Sequence, residues 1–320
     1  AEACEKQGIK FGIYYSIADW YHPDNPVVYP NERYWDADYR ERDYKNEEER
    51  RSMARYVTFM KNQLRELIEN YDPAVLWFDG HWEWAWTHKM GMDLYAYLKE
   101  LDQDLLINNR VDKGRQGMAD SGMLDKYAGD FRTPEQEVGS YNTQTPWESC
   151  ITIGQQWAWR SNDKLKSTKD LISLLLNTVG GDGNLLLNVG PMMDGRIEQR
   201  QIDTLRSLGQ WVDRNTEAIY GTRGGPYKPT ETFVSTRKDN KIFLHFLEGS
   251  ESIISLPIPD GVKIKSAQLA ETGDEVDIRQ FDGKVEIMLP SNLANKLASV
   301  IELELNQPSK NLGTINRLRY

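Results

Sequence analysis

From residue 9 onward, short apolar runs alternate with longer segments whose apolar residues recur at helical spacing. That pattern is expected when parallel strands are joined by crossover helices. Ile9 to Ser16 (IKFGIYYS) predicts a buried strand. Glu47 to Tyr71 predicts a helix, with apolar positions at Met53, Val57, Met60, Leu64 and Ile68. The alternation returns with Ala74 to Phe78 (AVLWF), a helix over Met90 to Leu101, a strand at Leu105 to Asn108, a helix over Leu171 to Thr178 and a strand over Asn184 to Val189. Near residue 224 the character changes. Gly224, Gly225 and Pro226 punctuate the chain, and the runs KIFLHFL, SIISLPI, VKIKSAQLA, KVEIMLP and ASVIELEL follow with short turns between them. These predict an antiparallel β-sandwich. The expected organisation is an α/β region over 1–224, a sandwich over 225–307 and a loosely held tail over 308–320.

Composition narrows what such a fold can do. Three hundred and twenty residues, 39% of them hydrophobic, with 10 Trp and 16 Tyr, suffice for a large core and a smaller second domain. A formal charge of −10, with no stripe of Lys and Arg, excludes a nucleic-acid partner, which needs clustered cations to displace condensed counterions. The densest charge run, Tyr39 to Arg55, mixes both signs and reads as a solvated helix face. The two cysteines, Cys4 and Cys150, give neither a disulfide framework nor a metal knuckle. No run of eighteen apolar residues suggests a membrane span, and the first residues read as a helix end leading into a strand, so the chain is expected to begin inside a fold.

Asp79 follows AVLWF and precedes Gly80, where a parallel barrel strand would deliver a side chain to its C-terminal face. Capping of the next helix is the plainer role for such a residue. Trp77, Phe78, Trp82, Trp84 and Trp86 surround it, and flat rings beside a carboxylate suit a sugar, although tryptophans also fill cores. Glycoside hydrolysis uses two carboxyl groups, about 5–5.5 Å apart for retention and about 6.5–9.5 Å for inversion. Partners for Asp79 are Glu135 and Glu137 in DFRTPEQEVG and Glu148 in TPWESC, all in Pro-punctuated, loop-like sequence. The residues alone leave these three level. TVGGDGNLLLNVGP lacks the Lys of a phosphate-binding loop and the G-x-G-x-x-G spacing, so it reads as a tight turn between helix and strand.

The stretches KFGIYYSIADWYHP, AVLWFDG, INNR, DFRTPE, PWESC, IGQQWAWR and NTVGGDGNLLLNVGPMMDGRI together, and in this order, resemble glycoside hydrolase family 29 α-L-fucosidases over residues 5 to 225. The resemblance implies a TIM-like (β/α) barrel followed by a small antiparallel β-sandwich. It implies a retaining mechanism without metal or organic cofactor, in which Asp79 attacks the anomeric carbon of a terminal α-L-fucose on an oligosaccharide or glycoconjugate. It points to Glu135 as acid/base, with Glu148 and Glu137 as alternatives. Tyr14 and Arg110 match positions that line or support the fucose pocket, and Trp77 would flank the sugar. The family's His-His-Asp-Gly-Phe motif and an earlier His and Trp are absent from this chain, which implies a barrel lacking its first strands. His22, His81, His88 and His245 do not replace that pair, though His22 and His81 stand where they can touch a substrate. Two rivals remain at this point: another retaining glycosidase on the same barrel, and a carbohydrate-binding fragment without turnover.

Overall fold

The computed structural model describes residues 1–26, 44–115, 117–118, 126–247, 253–289 and 298–316. Within them the chain forms two compact units, 1–133 and 134–320.

The first unit is built on a parallel sheet, β1 (Gly12–Ser16), β2 (Val75–Asp79) and β3 (Leu106–Ile107), paired in that order. A short helix, α1 (Glu2–Lys6), precedes it, and α2 (Glu47–Tyr71) and α3 (His88–Leu101) make the connections. Helix α2 starts where Asn46 accepts a hydrogen bond from the Glu49 amide, with Glu47, Glu48 and Glu49 on the positive end of the helix dipole. It stops at Asp72, whose φ of 44° leaves the helical region. Between these ends Met53, Tyr56, Met60, Leu64 and Ile68 form the buried stripe, each contributing about 2 kcal/mol of transfer free energy against β2 and α3 neighbours such as Leu76, Phe78, Leu94 and Leu98. The charge-run residues from Glu47 on lie largely on the solvated side of α2; residues 39–43 lie outside the described part.

Strand β1 departs from the buried strand expected of IKFGIYYS. It covers Gly12–Ser16 alone, pairs on one side with β2, and alternates exposed and half-buried positions, with Tyr14 62% exposed. Ile13 and Tyr15 lean on the core beneath α2, whereas the face carrying Gly12, Tyr14 and Ser16 has no layer packed over it among the described residues.

The second unit opens with β4 (Glu148–Thr152) and β5 (Asn184–Asn188), a parallel pair connected through α4 (Thr168–Gly180). Ser167 and Asp170 form a reciprocal capping box at the start of α4. The turn after α4 is tight because the Trp147 indole lies against it: a Cβ on Gly181 or Gly183 would collide with the ring. Helices α5 (Gln199–Arg214) and α6 (Thr216–Ile219) follow.

Eight antiparallel strands complete this unit: β6 (Arg223–Gly224), β7 (Phe233–Lys238), β8 (Lys241–Phe246), β9 (Ile253–Pro257), β10 (Ile264–Leu269), β11 (Ile278–Phe281), β12 (Lys284–Met288) and β13 (Ser299–Leu305). They pair as a five-stranded sheet in the order β10-β13-β8-β7-β6 and a three-stranded sheet β11-β12-β9. Ile242, Leu244, Leu303 and Leu305 of the larger sheet meet Ile254, Leu256, Val285 and Ile287 of the smaller one in a shared core. The opposite face of the larger sheet is covered as well. Val234, Phe243 and Val300 pack against Ile172 and Leu176 of α4 and Trp211 of α5. The change of sequence character at 224 is therefore a change of secondary structure inside one packed unit, since helices before it and strands after it share a core.

The expected loose tail is docked over its first half. Ser309 and Leu312 are buried, Arg237 donates to the carbonyls of both, and Ile315 bridges to Tyr227. PSKNLGTIN lacks strand or helix periodicity, but its backbone groups find partners on the sandwich. No helix among the described residues is long and apolar enough to cross a membrane.

Candidate active site

The first unit brings four of the sequence-predicted residues together. In the parallel register, Tyr14 stands opposite Trp77 and Ser16 opposite Asp79, so the period of two puts Tyr14, Trp77 and Asp79 on one face of the sheet. The backbone that carries Asp79 is fixed from both sides. Its carbonyl accepts from the Ile17 amide at 2.7 Å. One residue earlier, the Asn108 side chain accepts from the Phe78 amide at 2.7 Å and donates to the Phe78 carbonyl at 2.8 Å, closing the strand end where regular pairing to β3 stops. Gly80 then takes a φ of 87° with its Cα against Ala18, where a Cβ would lie 2.9 Å from the Ala18 nitrogen. The strand therefore ends with the carboxylate presented at its C-terminal edge.

Each carboxylate oxygen has its own donor. Tyr14 Oη donates to Asp79 Oδ2 at 2.8 Å, and Arg110 Nη1 donates to Oδ1 at 3.0 Å. Arg110 is buried and locked: its Nε donates to Thr133 Oγ1 at 2.8 Å, its Nη2 donates to the Thr133 carbonyl at 3.3 Å, and Thr133 Oγ1 donates onward to Asn109 Oδ1 at 2.9 Å. Its guanidinium carbon also stands 4.7 Å from the centre of the Trp77 ring, within cation–π range. Trp77 in turn stacks on Tyr14 with ring centres 5.8 Å apart and planes 17° apart. The result is a carboxylate held by a cation and a phenol beside a stacked aromatic pair, with Asp79 itself 18% exposed.

Other predicted residues lie elsewhere. His22 packs against Tyr56 and Phe59, with ring centres 5.0 and 4.5 Å away, and its Nδ1 accepts from the Asp24 amide. Those contacts place it over α2. Glu135, Glu137 and Glu148 belong to the second unit. Glu135 and Glu137 are exposed, and the Glu135 segment is pinned by its bridge to Cys150, where the Cys150 amide donates to the Pro134 carbonyl at 3.0 Å. Glu148 opens strand β4 and is half-buried, although Pro-rich flanking sequence suggests a loop.

Asn108, Asn109 and Thr133, which were not assigned roles from the sequence, complete the surroundings of Asp79 together with His81, read there as able to touch a substrate. Polar INN directly after an apolar strand was the available signal, since buried asparagines at a strand end demand partners. No group of three or more His, Cys, Asp or Glu side chains among the described residues is arranged to hold a metal ion.

A carboxylate at the C-terminal end of a parallel strand, clamped by arginine and tyrosine and walled by aromatic rings, marks an α/β protein with a candidate site at its strand ends. The chain belongs to the α-L-fucosidase family: the family model described as Alpha-L-fucosidase matches residues 1–217. It is 31% identical over 219 residues to an alpha-L-fucosidase of Branchiostoma floridae, covering 67% of this chain and 44% of that protein. It is 27% identical over 252 residues to the plasma alpha-L-fucosidase of Homo sapiens, covering 75% of this chain and 49% of the relative. The chain thus spans about half the length of the curated relatives it matches. Among solved structures, alpha-L-fucosidase isoenzyme 1 from Paenibacillus thiaminolyticus superposes with a TM-score of 0.72 at 31% identity, covering 96% of this chain and 74% of that one. A Bacteroides thetaiotaomicron GH29 alpha-L-fucosidase, trapped as a covalent intermediate with 2-fluoro-fucosyl fluoride, gives a TM-score of 0.78 at 23% identity over 95% of this chain and 70% of that chain, a likeness of fold.

Proposed function

We propose that this chain carries the chemistry of a retaining exo-α-L-fucosidase, acting on terminal α-L-fucose of oligosaccharides or glycoconjugates. The observation that carries the proposal is the Asp79 carboxylate, fixed at a strand end with Tyr14 on Oδ2 and Arg110 on Oδ1. Asp79 attacks the anomeric carbon, the glycosidic C–O bond breaks, and the carboxyl of Glu135 gives its proton to the departing oxygen. The ester between fucose and Asp79 is then cleaved by a water whose proton returns to Glu135. Tyr14 and Arg110 orient the carboxylate for attack and stabilise the charge that reappears on it when the ester is cleaved. Trp77, stacked on Tyr14 beside Asp79, is assigned to flank the sugar.

The family membership supports the fucosidase reading, within which Asp79 is the residue at the nucleophile's motif. A Thermotoga maritima alpha-fucosidase solved with fucose, 25% identical over 94% of this chain, supports the sugar assignment. Glu135 is preferred to Glu148 and Glu137 because DFRTPE resembles the T-x-E segment that carries the acid/base in family members. The parallel strands before residue 224 are read as part of a (β/α) barrel, and the antiparallel strands after it as a sandwich that packs on α4 and α5.

The test is a panel of aryl glycosides offered to this chain and to Asp79→Asn. Turnover confined to the α-L-fucoside and lost in the variant is the expected result. Turnover of another glycoside instead overturns the substrate assignment. Fucose binding without turnover in either protein identifies a carbohydrate-binding fragment.

A further inference from the structure

One buried polar side chain beside Asp79 has no part in the chemistry above. Gly80 turns the chain sharply at the end of β2, and the Glu83 amide donates to the Gly80 carbonyl at 3.2 Å, closing a turn that folds His81 back under the strand end. The His81 ring is 1% exposed and meets Trp82 edge-on with centres 5.2 Å apart. Its Nδ1 lies 4.0 Å from Asp79 Oδ1, and among the described residues neither ring nitrogen has a hydrogen-bond partner. Polar atoms buried in this way are costly to leave unmatched, and they concentrate where a site needs them.

We propose that His81 is a positioning residue for Asp79: a neutral imidazole that turns its Nδ1–H to the carboxylate and, with Arg110, holds Oδ1 as the oxygen that does not form the bond, leaving Oδ2 to attack. This assignment rests on the fucosidase proposal. Three features of the site lead to it.

The tautomer follows from electrostatics. A bare Nδ1 would aim its lone pair at a carboxylate oxygen, whereas Nδ1–H aims a donor at it, so the proton belongs on Nδ1. The ring also stays neutral. Burial, and the Arg110 and Lys113 cations, push its pKa down to about 4, while Asp79 pulls the other way. A second full cation beside Arg110 is thereby avoided, and the imidazole acts as a donor without neutralising the nucleophile.

The division of labour follows from which oxygen each donor faces. Among the described residues, Arg110 and His81 both face Oδ1, and Tyr14 alone faces Oδ2. When the ester forms, Oδ1 becomes its carbonyl oxygen and keeps two donors directed at it. Oδ2, held by the exposed Tyr14 phenol, is the oxygen left to bond to carbon. The 4.0 Å separation is that of a site without substrate, where catalytic contacts are commonly long and tighten on binding.

Two measurements test the assignment. The first is nitrogen NMR of the protein labelled with ¹⁵N histidine, which holds 4 histidines. At pH 7 a ring with a protonated Nδ1 and a bare Nε2 should disappear in His81→Asn and shift in Asp79→Asn, which separates it from His88, whose Nδ1 meets Asp112 at 2.8 Å. An Nε2–H tautomer for His81, or a charged ring at pH 6, overturns the proposal whether or not the chain turns over substrate. The second is kinetic. His81→Leu, folded by circular dichroism, should lower kcat on an aryl α-L-fucoside by about tenfold with KM nearly unchanged, the effect of one lost hydrogen bond to a charged group. His81→Asn, which keeps an N–H near the Nδ1 position, should recover most of that loss. Equal activity in wild type and His81→Leu, or equal loss in both variants, refutes the positioning role. A chain that hydrolyses no aryl fucoside refutes the fucosidase proposal, and the tautomer then decides the hydrogen bond by itself.

Discussion

Acidification should destabilise this protein through His245, a group far in sequence from the candidate nucleophile. His245 sits in β8, the middle strand of the five-stranded sheet, between Val234 of β7 and Val300 of β13, and is fully buried. Its Nε2 is 2.8 Å from Thr236 Oγ1, and that hydroxyl donates to the Ala218 carbonyl at 2.7 Å. The hydroxyl proton is thus committed, so Nε2 must be the donor and Nδ1 must be bare. Protonating Nδ1 would create a buried N–H without an acceptor, since Nδ1 has no partner among the described residues. Burial pushes the pKa down from the ordinary 6.5 to about 3. In that window the unfolded chain binds a proton that the folded chain refuses, so stability is intact above the ordinary value and falls as pH drops below it. At 1.36 kcal/mol per unit, about 3 kcal/mol should be lost to this residue between neutrality and about pH 4. The control is His245→Gln, whose amide can still donate to Thr236 but cannot titrate. Urea unfolding of both proteins at pH 7 and pH 4 should show wild type losing about 3 kcal/mol more than the variant, because His81 and the carboxylates are common to both and cancel. The same pH dependence in both proteins would refute the argument.

Further perturbations address the site and the packing around it. Asp79→Ala should abolish turnover of fucosides with good and poor leaving groups alike, measured by release of the aryl alcohol. Glu135→Ala should spare fucosides with activated leaving groups while slowing unactivated ones by roughly 10²–10⁴-fold. Equal loss on both would move the acid/base role to Glu148 or Glu137. Tyr14→Phe removes the 2.8 Å donor from Oδ2 and should lower kcat/KM by about tenfold, with little change in melting temperature because the ring is largely exposed. Gly183→Ala would press a methyl group into the Trp147 indole and should destabilise the second unit by about 1–3 kcal/mol in urea titrations.

Much of this protein was legible in the order of its residues. Helical spacing marked α2 and α4, because an amphipathic stripe requires its apolar residues every three or four positions whatever lies beneath them. The apolar run before Asp79 marked β2, and Gly80 marked its end. A family's worth of short motifs pointed to Asp79 as candidate nucleophile and to fucose as candidate sugar. Local chemistry also settled what TVGGDGN is, although the reason for its glycines came from Trp147, some 35 residues earlier in the chain.

What the tertiary structure decided was everything that depends on distant partners. The sequence of β1 reads as buried, yet its exposure depends on which layers cover its two faces, and among the described residues only the face of Ile13 and Tyr15 is packed. The tail reads as loose because docking on a sandwich leaves no periodic trace. The clamp on Asp79 joins Tyr14, Arg110, Thr133 and Asn109, separated by up to 119 positions (133 − 14). His81 and His245 look alike as isolated histidines in a sequence. One stands beside a carboxylate and two cations, the other against a threonine whose proton is already given away. A side chain's type is written in the chain, but its protonation and its role are set by the groups that folding places around it, because hydrogen bonding and desolvation act across space and not along the backbone.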